Sequence, residues 1–299
     1  MSCAFLLDLR GAAKDDTRML IAQITDLHIG FGGDPALCKN TQRLEGVLEE
    51  LESQQRKADL VLITGDLIET GEEWAYAQLK KSLSTLSMPY YCLLGNHDNR
   101  EAFGQVFPSA VFSGGFLQYT IEDWPVRIIM LDTLQPGKHG GGFCEARAAW
   151  LAERLAEQPD RPTLIALHHP PIDTGIGWMT TSDTAPWVMR LRDTITPYKN
   201  IVRIICGHIH RSIFTHFEHV PLTVSLAVAP QVKLNLAEID PHTPDNRILL
   251  TDSPAAYGLH EWNGKTLTTH TGRIPDGKPV IRFDEKHAFV VKHTMDMPK

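Results

Sequence analysis

Five short, largely apolar runs in this chain each stop at residues able to bind a metal, and that recurrence constrains the fold more than any other feature. Met19–Ile24 leads into Asp26 and His28, and Leu60–Thr64 leads into Asp66. Tyr90–Leu94 leads into Asn96, His97 and Asp98. Thr163–Leu167 leads into His168 and His169, and Ile201–Cys206 into His208 and His210. Runs this short and continuous read as strands buried on both faces. Helical patterns separate them: Leu44, Val47, Leu48 and Leu51 give Asn40–Gln55 the i, i+3, i+4, i+7 stripe of an amphipathic helix. In an open α/β sheet, sites form beyond the carboxyl ends of the strands, so these polar residues are expected to converge in one crevice.

The rest of the chain fits the same alternation. Leu79, Leu83 and Leu86 stripe a second helix, Cys144–Gln158 a third, and Ala185–Thr196 a short fourth. Leu117–Glu122 and Val126–Asp132 read as two more strands. After His210 helical periodicity ends, and Leu222–Ala229, Val232–Ile239 and a hairpin of Tyr257–Trp262 with Lys265–Thr269 read as β-structure. Asn263-Gly264 supplies the favoured two-residue hairpin turn. The expected organisation is an N-terminal extension over 1–18, a single α/β domain over 19–283 whose part from 211 onward is β-rich, and a tail over 284–299.

Composition narrows the function classes. The chain has 299 residues, 42% hydrophobic and 22% charged, enough for a substantial core. No apolar run approaches the ~20 residues of a membrane span, and the apolar opening meets Asp8 and Arg10 too soon for a signal peptide. Cysteines at 3, 38, 92, 144 and 206 are odd in number and form no Cys-x-x-Cys pair, which points to reduced thiols in the cytoplasm. A net charge of −7 argues against a nucleic-acid polymer as partner.

Asp26, Asp66, His28, His168, His208, His210 and Asn96 together offer two carboxylates, four imidazoles and one amide. Such mixed donors suit Mn, Fe, Co or Zn rather than calcium or a thiolate-seeking metal. They are too many for one ion and the right number for two ions sharing a carboxylate, the arrangement of two-metal phosphoesterases.

The blocks Asp26-Leu27-His28, Gly65-Asp66, Gly95-Asn96-His97-Asp98, His168-His169-Pro170-Pro171 and Gly207-His208-Ile209-His210 resemble the calcineurin-like metallophosphoesterase superfamily. Together with the segment Thr174–Met179 they are most similar to class III cyclic-nucleotide phosphodiesterases and bacterial glycerophosphodiesterases. The resemblance implies a four-layer α-β-β-α sandwich. It also implies one ion on Asp26, His28, Asp66 and His210, a second on Asp66, Asn96, His168 and His208, and at least dimeric assembly. Related subfamilies depart from the pattern: purple acid phosphatases carry tyrosine where Glu69 stands, lipid A pathway hydrolases arginine in place of His97, and protein Ser/Thr phosphatases glutamate in place of Asp98.

Two divalent ions opposite two carboxylates leave a cationic pocket for an anionic phosphate, and a hydroxide between them is expected to attack phosphorus in line with the leaving alkoxide. His97, beside Asn96, is free to protonate the leaving oxygen, with Asp98 or another acceptor holding its tautomer. His169 reads as a residue that holds the ligand loop, and the Gly-flanked Trp178 in 172–184 as a lid element or an interface contact. The expected activity is hydrolysis of a small phosphodiester, a 3′,5′-cyclic nucleotide or a glycerophosphodiester. A phosphomonoesterase, a nuclease and a non-enzymatic scaffold are the competing readings.

Overall fold

The computed structural model describes residues 17–33, 38–275 and 277–295. The expected tail is therefore described through residue 295, and most of the expected N-terminal extension lies outside the described residues. Two sheets face each other. The first has strand order β13-β12-β1-β2-β3, from Leu267–Ile274, Ala255–Trp262, Met19–Ile24, Leu60–Thr64 and Tyr90–Leu93. The second has order β4-β5-β6-β7-β9-β8, from Tyr119–Ile121, Arg127–Leu131, Thr163–Leu167, Ile201–Cys206, Val220–Val224 and Ile213–Phe217. β1, β2 and β3 are mutually parallel, as are β5, β6, β7 and β9, while β12, β13, β4 and β8 close the edges antiparallel.

Three apolar layers hold this stack together. Alternate residues of β1 and β2 (Leu20, Ala22, Ile24, Val61, Ile63) pack outward on helices α1 (Lys39–Ser53), α2 (Glu73–Leu83) and α3 (Arg100–Val106). The opposite set (Met19, Ile21, Leu60, Leu62) meets Ile128, Met130, Leu164, Ala166 and Ile205 of the second sheet. Beyond that sheet, Ile129, Ile165 and Ile204 pack on α4 (Glu145–Glu157) and α5 (Pro186–Ile195). The result is the α-β-β-α sandwich, and the period of two along each strand divides its side chains between layers.

The carboxyl-terminal part is built into both sheets. β12 pairs antiparallel with β1, from Met19 opposite Trp262 to Gln23 opposite Gly258, and β9 extends the second sheet beside β7. Several expectations are corrected here. Val232–Ile239 is not a strand: only Gln231–Val232 (β10) pairs, with Leu250–Thr251 (β11), and Leu234 and Leu236 stand 52% and 63% exposed. Asn235 Oδ1 accepts the amide of Ala237 at 2.9 Å, a local turn that takes the backbone out of any ladder. The strand expected over Leu222–Ala229 ends at Val224, where the chain bends so that Val228 and Ala229 donate to the carbonyls of Thr25 and Asp26, both at 3.0 Å. The hairpin loop has four residues, because Asn263 Oδ1 accepts the amides of both Lys265 and Thr266 (3.0 and 2.8 Å). Two further helices had no periodic signal: α3 buries only Phe103, and α6 (Ala288–Met295) buries nothing.

The core between the sheets contains a polar layer at the end where the strands stop. Gln23 is fully buried, in line with Met19 and Ile21. Its Nε2 donates to Thr64 Oγ1 (2.9 Å) and to the Cys206 carbonyl (3.1 Å). Its Oε1 accepts from Ser225 Oγ (2.6 Å) and from His260 Nε2 (3.0 Å), whose Nδ1 lies 2.8 Å from Thr269 Oγ1. A carbonyl only accepts, so Cys206 fixes the orientation of the amide, and the amide in turn fixes the Nε2–H tautomer of His260.

Burial pushes the pKa of His260 down to about 3, helped by the charges of Arg203 and His270. The unfolded chain, with histidine near its ordinary value of about 6.5, binds the proton that the fold refuses. Stability from this residue is therefore full above that value and lost as pH falls toward the folded pKa. Metal-free protein is expected to lose up to ~1.4 kcal/mol per pH unit through His260 below pH 6.5. Urea unfolding of wild type and His260→Gln between pH 7 and 4.5 checks this, and parallel pH slopes for the two would contradict it.

Candidate metal centre

The expected site residues converge. Asp26 and His28 follow β1, Asp66 follows β2, Asn96 and His97 follow β3, His168 follows β6, and His208 and His210 follow β7. Asp26, Asp66, His168, His28 and His210 are all buried. The backbone turns sharply at these positions: Asp26, His28, Asp66, His208 and His210 take φ values of 53°, 46°, 48°, 72° and 51°. Left-handed backbone at a residue with a β-carbon costs of order 1–3 kcal/mol and persists where its surroundings over-determine it. Here the amides of Leu27 and His28 donate to the Asp66 carbonyl (2.8 and 3.0 Å), and the His208 amide donates to both carboxylate oxygens of Asp26 at 3.0 Å.

Proximity requires glycine at positions 65 and 207 among others. A β-carbon at Gly207 would overlap Thr25 Oγ1 and stand 2.7 Å from Asp26 Oδ2. One at Gly65, whose φ is +98°, would overlap the His168 ring.

Three imidazoles are oriented alike. His28 Nδ1 donates to Glu69 Oε2 (2.7 Å), His168 Nδ1 to the Thr64 carbonyl (2.8 Å), and His210 Nδ1 to the Pro230 carbonyl (2.7 Å). Each acceptor holds the proton on Nδ1 and leaves the Nε2 lone pair facing inward. Those Nε2 atoms meet one another and the carboxylates. His28 Nε2 lies 3.2 Å from His210 Nε2 and 3.6 Å from Asp66 Oδ2, His168 Nε2 3.2 Å from Asp66 Oδ2, and His210 Nε2 3.4 Å from Asp26 Oδ1. Acceptors facing acceptors in a buried site suit a cation. The sets Asp26/His28/His210 and Asp26/Asp66/His168 each bring their ligand atoms within 4.8 Å of one another. Asn96 Oδ1 and His208 Nδ1 are buried with no hydrogen-bond partner, so the donor set fits first-row divalent ions.

The charges respond to this crowding. Burial alone would raise Asp66, but His168, His28 and His97 hold its carboxyl well below the usual carboxylate range. Asp26 is likewise lowered, by His210 and His168 against its burial. His168, which burial would lower, is pushed up to about 9 chiefly by Asp66, whereas burial and the neighbouring His168 take His208 down to about 3.

His97 stands at the rim. Its amide donates to Asp66 Oδ1 (2.9 Å), its Nδ1 donates to the Glu69 carbonyl (2.8 Å), and its ring lies 4.6 Å edge-on from that of His28. The tautomer-holding acceptor is thus Glu69. Asp98 faces away, accepting from the Gly95 and Leu67 amides and from Tyr76 (2.8, 3.1 and 3.0 Å). His169 Nδ1 lies 2.9 Å from Thr133 Oγ1, which anchors the ring beside His168 and His208.

Sequence reasoning missed two residues. Glu69, noted only as the position where a tyrosine is absent, orients His28. His139 accepts from Asn96 Nδ2 at 3.1 Å, and the glycine-rich stretch Gly137–Gly142 was the signal for it. The cleft beside His169 and His208 is walled by Trp187, Met179 and Thr180, while Trp178 stands 41% exposed and does not line it.

Residues 19–212 match the family model described as calcineurin-like phosphoesterase. The chain is 32% identical over 261 residues to a probable glycerophosphodiester phosphodiesterase, GpdQ, of Arcobacter nitrofigilis, a match covering 86% of this chain and 93% of that one. It is 29% identical over 278 residues to the 3′,5′-cyclic adenosine monophosphate phosphodiesterase CpdA of Escherichia coli, over 92% of this chain and 96% of that protein. Among solved structures, a dimetal phosphatase from Danio rerio shares the fold with a TM-score of 0.58 at 14% identity, over 81% of this chain and 92% of the other. By the family model, which spans most of both sheets, and by the relatives that cover nearly the whole chain, this protein belongs to the calcineurin-like phosphoesterase family.

Proposed function

We propose that this protein is a metal-dependent phosphodiesterase that hydrolyses small phosphodiesters, 3′,5′-cyclic nucleotides or glycerophosphodiesters, at a centre of two ions. The observation that carries the reading is the set of three imidazoles whose Nδ1 protons are tied outward while their Nε2 lone pairs meet Asp26 and Asp66. One ion would rest on Asp26, His28, Asp66 and His210, the other on Asp66, Asn96, His168 and His208, with Asp66 shared. Mn, Fe, Co and Zn all suit these donors. When bound, such ions supply Lewis acidity that activates water and neutralises charge on the phosphoryl oxygens. The substrates named for the GpdQ and CpdA relatives favour diesters, as does a pocket that a dianionic monoester would bind strongly as product. We place the enzyme in the cytoplasm as a homo-oligomer. Among the described residues no helix is long and apolar enough to cross a membrane.

The chain's own chemistry centres on His97. In this hydrolysis a water oxygen forms the new P–O bond, the ester P–O bond breaks, the departing alkoxide takes its proton from His97 Nε2, and the proton released by the water restores the ring. The Glu69 carbonyl on Nδ1 keeps the ring aimed, with Glu69 Oε2 3.8 Å away.

Asp66→Ala is expected to empty both ion sites, whereas Asn96→Ala weakens mainly one, because the proposed assignment gives Asp66 to both ions and Asn96 to one. Metal analysis after dialysis reads this, and an Asp66→Ala protein retaining two ions per chain would remove the bridging assignment. On substrates with the same leaving group, kcat/KM is expected to be higher for the diester than for the monoester. Comparing bis(p-nitrophenyl) phosphate with p-nitrophenyl phosphate tests it, and a monoester rate equal to or above the diester rate would defeat the reading.

His97→Ala is expected to cost ~10²–10⁴-fold on an alkyl diester and far less on a p-nitrophenyl diester, whose leaving group departs without a proton. With metal content equal to wild type, equal losses on both substrates would reduce His97 to a positioning residue.

A further inference from the structure

We infer that Gln23, which lies outside the proposed ligand set, is a positioning residue that sets how the metal ligands of one sheet meet those of the other; the inference rests on the two-ion reading above. In that reading each ion takes ligands from both sheets. Asp26, His28, Asp66 and Asn96 leave the ends of the first, and His168, His208 and His210 leave the ends of the second. The geometry of either ion therefore depends on the distance and register between sheets at this end of the sandwich.

Gln23 spans that gap. Its Nε2 holds Thr64, the last residue of β2 and the one before Gly65-Asp66, and Cys206, the last residue of β7 and the one before Gly207-His208. Its own backbone lies in β1, which ends at Ile24 just before Asp26. One amide thus ties the ends of the three strands that lead into Asp26, Asp66 and His208. The Thr64 carbonyl is also the acceptor that orients His168.

All four hydrogen-bonding positions of the amide are filled, two by donation and two by acceptance. An apolar residue would be the ordinary occupant here, since Met19 and Ile21 fill the same row. A methionine would fill the space but hold neither Thr64 nor Cys206. Dispersion sets no register between sheets, whereas directional hydrogen bonds do. The expected consequence is a change in metal affinity, and residues that support ligands from behind typically change it ~10–100-fold.

The test measures Mn²⁺ binding to metal-stripped full-length protein by titration calorimetry, alongside thermal unfolding of the same metal-free samples. Gln23→Met is expected to weaken Mn²⁺ binding ~10–100-fold. Ser225→Ala removes one partner of Gln23 Oε1 but keeps both ties to Thr64 and Cys206, so it is expected to lower the unfolding temperature and leave Mn²⁺ affinity unchanged. If Gln23→Met binds Mn²⁺ like wild type, or if Ser225→Ala loses as much affinity as Gln23→Met, Gln23 serves general stability and the inference fails. Should Gln23→Met not fold, Thr64→Val decides. It cuts only the tie to β2, and weaker Mn²⁺ binding supports the inference while unchanged binding overturns it. Wild-type protein that binds fewer than two Mn²⁺ per chain would instead overturn the two-ion reading on which the inference rests.

Discussion

Two buried carboxylates, Asp26 and Asp66, lie within 3.2–3.6 Å of three imidazole nitrogens, and the rest of the structure is arranged around that concentration of charge. Burying a charge without compensation costs several kcal/mol, so such a cluster survives only with a counter-charge and with geometry held from outside. Both provisions are present. The surrounding histidines hold both carboxyls below their ordinary range, and the donor set is of a kind that suits cations. The outward Nδ1 protons are anchored on Glu69, Thr64 and Pro230, so the rings cannot swing to relieve the crowding.

The sandwich explains why the cluster can exist at all. A parallel strand delivers its next residue at the same end as its neighbours, so β1, β2 and β3 on one side and β6 and β7 on the other all discharge into one crevice. Close approach then demands left-handed turns at Asp26, His28, Asp66, His208 and His210 and glycine at positions 65 and 207. Strain at the site is carried by the layers beneath it, where apolar side chains of the two sheets interlock and Gln23 ties the strand ends together. The segment after β9 completes the enclosure. It lays its amides on Thr25 and Asp26 and is itself gripped by Arg43 of α1, which donates to the carbonyls of Val228, Ala229 and Ser253.

Much of this was legible in the chain. β1, β2, β6 and β7 begin and end where their apolar runs do, and α1 buries the expected Leu44, Val47, Leu48 and Leu51. These elements are buried on a regular period, and periodic burial leaves a periodic sequence. α3 is too short to repeat its period and begins at a cap, Asn99, whose side chain accepts from Ala102. β8, at the sheet edge, buries only Phe217 fully and shows no apolar run, while Leu234 and Leu236 alternate as a strand would without a neighbour to pair with. The errors fall where an element takes its conformation from local hydrogen bonds or from a single neighbour.

The sequence by itself determined which residues could bind metal and at which strand ends they stand, because ligand chemistry and strand length are both local properties. It did not determine which nitrogen each histidine presents, since that rests on Glu69, the Thr64 carbonyl and the Pro230 carbonyl, the last two being backbone groups without a side-chain signature. Nor did it show that Gln23 in an apolar strand would face Cys206 across the sandwich, or that His139 would reach Asn96. Those pairings join residues 183 and 43 positions apart. Only the packing of one sheet on the other and the course of the glycine-rich loop bring them within hydrogen-bonding distance, and that packing is a property of the whole chain.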